Sequence, residues 1–142
     1  MLATKENIID FIPQRPPVVM IDNLIEADAV SCKTSFFILA DNIFAERKKL
    51  REAGLIENIA QSAAVHVGYL CHQQNTPVPV GYIAAIKNLD IFELPEINSE
   101  INTRLRIMNE VFNITLVSGE ISWNQRIICT CEMRIFITSK TP

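Results

Sequence analysis

Histidine is nearly absent from this chain. Its 142 residues hold two, His66 and His72, which limits the acid–base pairs it can assemble. A basic excess is missing as well. Lysine and arginine number 13 against 16 aspartates and glutamates, a net charge of −3 that argues against a general nucleic-acid binder. The opening MLATKENIIDF lacks the apolar core of a signal peptide. No uninterrupted apolar run approaches the roughly 20 residues that span a bilayer. A soluble, cytoplasmic protein with no membrane span is therefore expected. None of the four cysteines, Cys32, Cys71, Cys129 and Cys131, sits in a CxxC pair. Cys129 and Cys131 alternate with Ile128 and Thr130 as inward residues of a strand do, so they read as reduced core thiols rather than a metal site or disulfide framework. No motif implies a metal or an organic cofactor. Internal repeats and low-complexity segments are absent, and the sequon Asn113-Ile114-Thr115 has no secretion signal to give it meaning.

What is present is enough for a core. Hydrophobic residues make up 49% and charged residues 20%, and the length predicts a single domain over residues 1–142. The longest helical period lies in Glu52–His72, EAGLIENIAQSAAVHVGYLCH, which is free of proline. Ile56, Ile59, Ala63, Val67 and Leu70 recur in steps of three and four and predict one apolar face. Ala60, Ala63 and Ala64 are small enough to let a sheet come close. Beside that face stand Glu57, Asn58 and Gln61, with Glu57 and Gln61 four apart and so on one side. Glu57 either lies at the margin of the stripe and reaches water or faces something buried; spacing leaves both open.

Around the helix the pattern is one of strands. Lys5–Ile12 predicts a short helix stopped by Pro13, and Ile12–Pro17 cannot be regular with three prolines. Val18–Ile25 and Ala29–Leu39 read as strands about a turn at Glu26–Asp28. Asp41–Arg51 is polar and carries Arg47, Lys48, Lys49 and Arg51 within five positions, either a solvated loop or a docking patch for an acidic partner. Beyond the irregular Gln73–Pro79 come strands at Gly81–Phe92 and Ile101–Val111. A third puts Thr115, Val117, Gly119, Ile121 and Trp123 on one face. A fourth does the same with Ile127, Cys129, Cys131, Met133, Ile135 and Ile137. Turns fall at Asn98-Ser99, Asn113 and Asn124-Gln125. One buried and one wetter face per strand predicts antiparallel pairing. The expected architecture is α+β, an antiparallel sheet wrapped around one long central helix. Its edges need cover, which predicts a dimer through an edge strand.

Three strings occur in a familiar order: Ile12–Asp22 (IPQRPPVVMID), Gly54–Gln61 (GLIENIAQ) and Gly81–Phe92 (GYIAAIKNLDIF). They resemble, respectively, the L-P-H-R-x-P-apolar-D opening, the start of the central helix and the tunnel-lining strand of the hotdog-fold 3-hydroxyacyl-(acyl-carrier-protein) dehydratases. The prolines and the Glu-Asn-Ile-Ala-Gln string are closest to a divergent subgroup, the dehydratase-like proteins linked to aryl-polyene synthesis. The resemblance implies a hotdog fold and an acyl-thioester substrate in fatty-acid or polyene synthesis, carried by acyl carrier protein or coenzyme A. It implies Glu57 as the catalytic acid, Gly54, Gln61, Ile83 and Ala84 as substrate-binding residues, and Arg47, Lys48, Lys49 and Arg51 as a carrier-protein docking patch.

The family's catalytic histidine, given by the opposite subunit, lies upstream of the helix in a G-H-F-P-G loop. Here DNIFAERKKLREAG stands between Asp41 and Gly54, with no histidine, and the L-P-H-R histidine is Gln14. Neither remaining histidine replaces it within the helix. His66, nine positions on, is about half a turn round from Glu57, and His72, fifteen on, is roughly 22 Å along the axis. Dehydration needs a base for the proton beside the carbonyl and an acid for the departing hydroxyl, so half of the pair is unaccounted for. Helix N-terminal N–H groups near Gly54 are suited to polarise the thioester carbonyl. Three readings follow: a dehydratase completed by a second hotdog chain in a heterodimer, a hotdog thioesterase using Glu57 with Gln61, or a non-catalytic acyl-binding subunit. A homodimer is the expected default.

Overall fold

A 22-residue helix, α1 (Glu52–Gln73), lies against one face of a six-stranded antiparallel sheet in the computed structural model, which describes residues 1–138. Before the helix come a 3₁₀ turn (Ile8–Phe11), strands β1 (Asn23–Ala27) and β2 (Ser31–Phe37), and a small hairpin, β3 (Ala45–Glu46) with β4 (Lys49–Leu50). After it come β5 (Val80–Ile91), β6 (Glu100–Val111), β7 (Ile114–Trp123) and β8 (Arg126–Thr138). The order across the sheet is β1-β2-β6-β7-β8-β5, so β1 and β5 are its edges. This is the α+β arrangement expected from the sequence. Among the described residues no helix is long and apolar enough to cross a membrane.

The core lies between α1 and the inner face of the sheet. β7 alternates as predicted, with Thr115, Val117, Gly119, Ile121 and Trp123 inward. Gly119 marks the closest approach of helix to sheet: a Cβ there would fall 2.5 Å from Ile59 Cγ2. The space that the helical alanines were expected to provide is thus provided on the strand as well. Cys32, Cys129 and Cys131 are buried and reduced, and burial pushes their thiols up to about 12, about 12 and about 11, which makes them inert packing groups.

Four expectations are corrected. The buried side of α1 is turned from the predicted stripe. Ile59 and Ala63 are buried, but Ile56, Val67 and Leu70 are only partly so, while Asn58, Gln61, Ser62 and His66 point inward. Periodicity scores these polar residues as outward. They are inward because each has a partner: Asn58 accepts from the Thr103 hydroxyl, and Ser62 bonds the Thr34 hydroxyl at 2.8 Å. Secondly, Val18–Asp22 is not part of β1. Its Val18 and Met20 backbone groups bond side chains of α1 instead of a strand. Thirdly, in β8 Ile127 is 49% exposed and Ile128 is buried. Ile121 pairs with Cys129 and Ser122 with Ile127, so Ile128 is the extra residue of a bulge that breaks the alternation. Fourthly, the basic loop is the β3–β4 hairpin. Arg47 and Lys48 form its two-residue tip with φ of 54° and 66°, the left-handed geometry of a tight hairpin, without the glycine that would signal it. Asn124-Gln125 makes the same kind of turn, as expected, between β7 and β8.

The edge strand β5 is unlike the others. Tyr82, Ile83, Ile86 and Leu89 are exposed along it, as is Phe92 just beyond its end. Register slips at Ile83/Ala85 and Lys87/Asp90 bend it against β8. An edge this long and apolar is a surface for pairing.

Candidate functional site

The site is built where the proline segment crosses α1. Gln61 is fully buried, and both its amide hydrogens and its oxygen are hydrogen-bonded. Its Oε1 accepts from the Met20 N–H at 2.6 Å, and its Nε2 donates to the Val18 carbonyl at 2.6 Å and to Glu57 Oε1 at 2.9 Å. Asn58 adds a bond to the Met20 carbonyl at 2.7 Å. These contacts clamp Val18–Met20 onto the helix and fix the Glu57 carboxylate one turn back. Gln61→Ala is expected to lower stability by about 2 kcal/mol or more, because it orphans the buried Met20 amide. Urea unfolding checks this, and an unchanged midpoint would contradict the clamp.

Glu57 is half-buried and forms part of the wall of a cavity of about 250 Å³ between α1 and the sheet. The remaining wall is mostly hydrocarbon: Ala60, Ala63, Ala64 and Val67 from the helix, and Leu105, Val117, Ile135 and Ile137 from the strands. The β5 edge contributes Gly81, Tyr82 and Ile83, and the proline segment Pro13 and Gln14. A carboxylate on an apolar wall beside alanines suits a chain-like ligand with one reacting polar end.

Of the residues singled out from sequence, Glu57 and Ile83 meet at this cavity. Gln61 stands behind Glu57 rather than on the wall. Gly54 is buried at the helix start, its N–H given to the Arg51 carbonyl at 2.9 Å and its Cα packed against Leu50 and Phe44. Ala84 is the extra residue of the Ile83/Ala85 bulge and faces solvent. Arg47, Lys48 and Lys49 are exposed on the hairpin, and Arg51 makes a 3.3 Å ion pair with Glu52.

Two polar residues on the wall, Gln14 and His66, were weighed in the sequence reading but given no place in the site. The half-turn between Glu57 and His66 suggested separate surroundings, but the sheet curls around the helix and one cavity reaches both. His66 is completely buried, and its Nε2 lies 2.7 Å from the Asp28 carbonyl. Asp28 sits in the β1–β2 turn, where N–H groups of Val30 and Ser31 and the Ser31 hydroxyl hold its carboxyl below its ordinary value. His72 is exposed and edges onto the Phe11 ring. No cluster suited to a metal ion occurs among the described residues.

Comparison with known proteins places this geometry. A family model described as ApeP dehydratase, ApeP-like, matches residues 6–141. The structure resembles a chain of the dehydratase heterocomplex ApeI:P from Xenorhabdus doucetiae, with TM-score 0.86 and 15% identity over 94% of this chain and 91% of that one. It also resembles a hypothetical thioesterase from Streptococcus pneumoniae TIGR4 solved with coenzyme A, with TM-score 0.67 and 8% identity over 84% and 88%. The PaaI protein from the Escherichia coli phenylacetic acid degradation operon is similar too, with TM-score 0.63 and 11% identity over 80% and 81%. At these identities the structures establish the hotdog fold. A search of curated protein sequences finds no match.

Proposed function

The chain belongs to the ApeP-like dehydratase family, and from that membership we propose that it acts on 3-hydroxyacyl thioesters as one half of a dehydratase, completed by a second hotdog chain. The observation that carries this reading is a half-furnished site. Glu57 is presented to an apolar cavity and braced by Gln61, while the segment upstream of the helix holds no histidine to oppose it. In the reaction a base takes the proton at C2, the C2–C3 double bond forms and the C3–O bond breaks. Oxygen leaves as water, with a proton from the acid. Glu57 is the proton donor in this scheme, and the base comes across the subunit boundary.

We assign that boundary to the exposed, apolar β5 edge. Ile83 belongs both to the exposed edge and to the cavity wall. A chain that pairs along β5 therefore lies beside the cavity and can add its own side chain to it. The Xenorhabdus relative is itself a heterocomplex, which favours a different hotdog chain over a second copy. A thioesterase is the second reading, favoured by the lone carboxylate, since water activated by Glu57 needs no histidine.

The β3–β4 tip, which runs directly into α1, is assigned to docking an acidic acyl carrier protein. Reversing Arg47, Lys48 and Lys49 to glutamate is expected to raise KM for a carrier-borne substrate roughly tenfold at low salt, with the difference shrinking as salt rises. Equal KM values across the salt series would remove the patch from docking.

The deciding assay uses a 3-hydroxyacyl carrier-protein substrate, with the chain alone and co-expressed with a second hotdog chain. Enoyl product is followed by mass spectrometry and free thiol colorimetrically. Enoyl formation that needs the second chain is the expected result. Thiol release would make the protein a thioesterase, and silence in both arms would leave a non-catalytic acyl-binding subunit.

A further inference from the structure

The cavity has a near end and a far end, and the strand register distinguishes them. Asn58, the residue after Glu57, bonds Thr103, which is level with Ile121 and so with Cys129. Two turns on, His66 reaches the Asp28 carbonyl in the β1–β2 turn, where Val30 accepts from the Ile107 N–H. Ile107 is level with Val117 and Met133, and Gly81 lies further still, level with Ile137. The helix therefore runs from Glu57 toward the Gly81 end of β8. Glu57 and Val67 both stand on the wall, ten residues and about 15 Å apart along the axis. The wall at the Gly81 end is apolar, with Val67, Pro79, Ile135 and Ile137.

At that far end the wall lacks a side chain. Gly81 pairs with Ile137 and Ile83 with Ile135, with no register slip between them. Ile135 and Ile137 line the cavity, so residue 81 holds an inward position on β5. A Cβ there would point the same way. Its nearest neighbour is Ile135 Cγ2 at 3.1 Å, then the Phe136 carbonyl oxygen at 3.9 Å, and among the described residues no third atom stands within 4 Å. The backbone does not call for glycine, because its φ is not positive. The one tight neighbour is a side-chain methyl, which yields more readily than the backbone oxygen facing Gly68. Glycine weakens a strand; what it supplies at this position is room.

We propose that Gly81 is a specificity residue that sets how long an acyl chain the cavity accepts. With the thioester by Glu57, the tail points along the helix to the Gly81 end, and the missing side chain leaves that end open to it. Gly81 touches no reacting atom and takes no part in bond breaking. The inference rests on the reading of the cavity as an acyl site.

Straight-chain acyl-pantetheine thioesters of increasing length test it by calorimetry on the protein in the oligomer it forms. Wild-type affinity is expected to rise about fourfold per methylene until the tail fills the space at Gly81. In Gly81→Leu the rise should stop about two methylenes earlier, leaving the longest chains roughly tenfold weaker than in the wild type and the short ones unchanged. Gly81→Ala should stop it about one methylene earlier. Because a side chain at an edge strand can also disturb folding or assembly, the Gly81 amide resonance of the ¹⁵N-labelled wild type is followed in parallel. It should move with the long chains and stay with the short ones. One length profile in all three proteins, with an unmoved resonance, would overturn the inference while leaving the acyl site standing. An equal loss for short and long chains in the variants would make residue 81 a packing position and overturn it too. If no chain of any length binds the wild type, the acyl-site reading fails and the inference with it.

Discussion

Glu57→Gln is expected to cut the turnover of the proposed two-chain dehydratase by about 10²- to 10⁴-fold, the usual worth of one positioned acid or base. KM should change little, because an interaction made only as bonds break lowers kcat and kcat/KM together. The fold should survive. The new side chain has nearly the same shape, and its amide oxygen still accepts from Gln61 Nε2, the bond that now runs to Glu57 Oε1 at 2.9 Å. Steady-state kinetics with the second hotdog chain present measures this. A variant that turns over like the wild type would take Glu57 out of the chemistry, whichever product the wild type makes.

Gly68→Ala is expected to be strongly destabilising. Helix propensity alone favours the change by about 1 kcal/mol. The contact opposes it: a Cβ at residue 68 would sit 1.8 Å from the Phe11 carbonyl oxygen and 2.8 Å from the carbon behind it. That neighbour is backbone and cannot rotate away, so the 3₁₀ turn at Ile8–Phe11 must lift off the helix. A net loss of about 3 kcal/mol is expected, at the upper end of overpacking costs, read as a lowered urea midpoint. Pro13 and Gln14, two and three residues further on, stand on the cavity wall, so ligand binding should weaken with it. A midpoint equal to or above the wild type's would show that the turn does not press on Gly68.

The strands were the most readable part of the chain, and the reason is mechanical. A ladder without bulges keeps side chains at period two, and β7 keeps that period from Thr115 to Trp123. Where one residue slips in, as at Ile128 or Ala84, the parity flips and nothing local announces it. The helix was legible in extent but not in rotation. Its inward side includes Asn58, Gln61, Ser62 and His66, each of which bonds a partner 28 to 45 residues away in sequence. A hydrophobic period cannot see such pairings. At the site, Glu57 stood out as a carboxylate beside an apolar stripe. Gln14 and His66 did not, because the crossing of the proline segment and the curl of the sheet bring them to the wall, and both are properties of the fold.

The polar pairs under α1 also work as a vernier. A smooth apolar helix on a smooth apolar sheet could settle one turn, about 5.4 Å, up or down at small cost, because alanine and isoleucine accept many neighbours. Asn58 on Thr103 and Ser62 on Thr34 allow one setting, since any slide strands four buried polar groups at once. Glu57 is the residue next to Asn58. The alignment of a carboxylate with its cavity is therefore set by an amide that never touches the cavity, and drift along the sheet is prevented by the same bonds that made the helix hard to read.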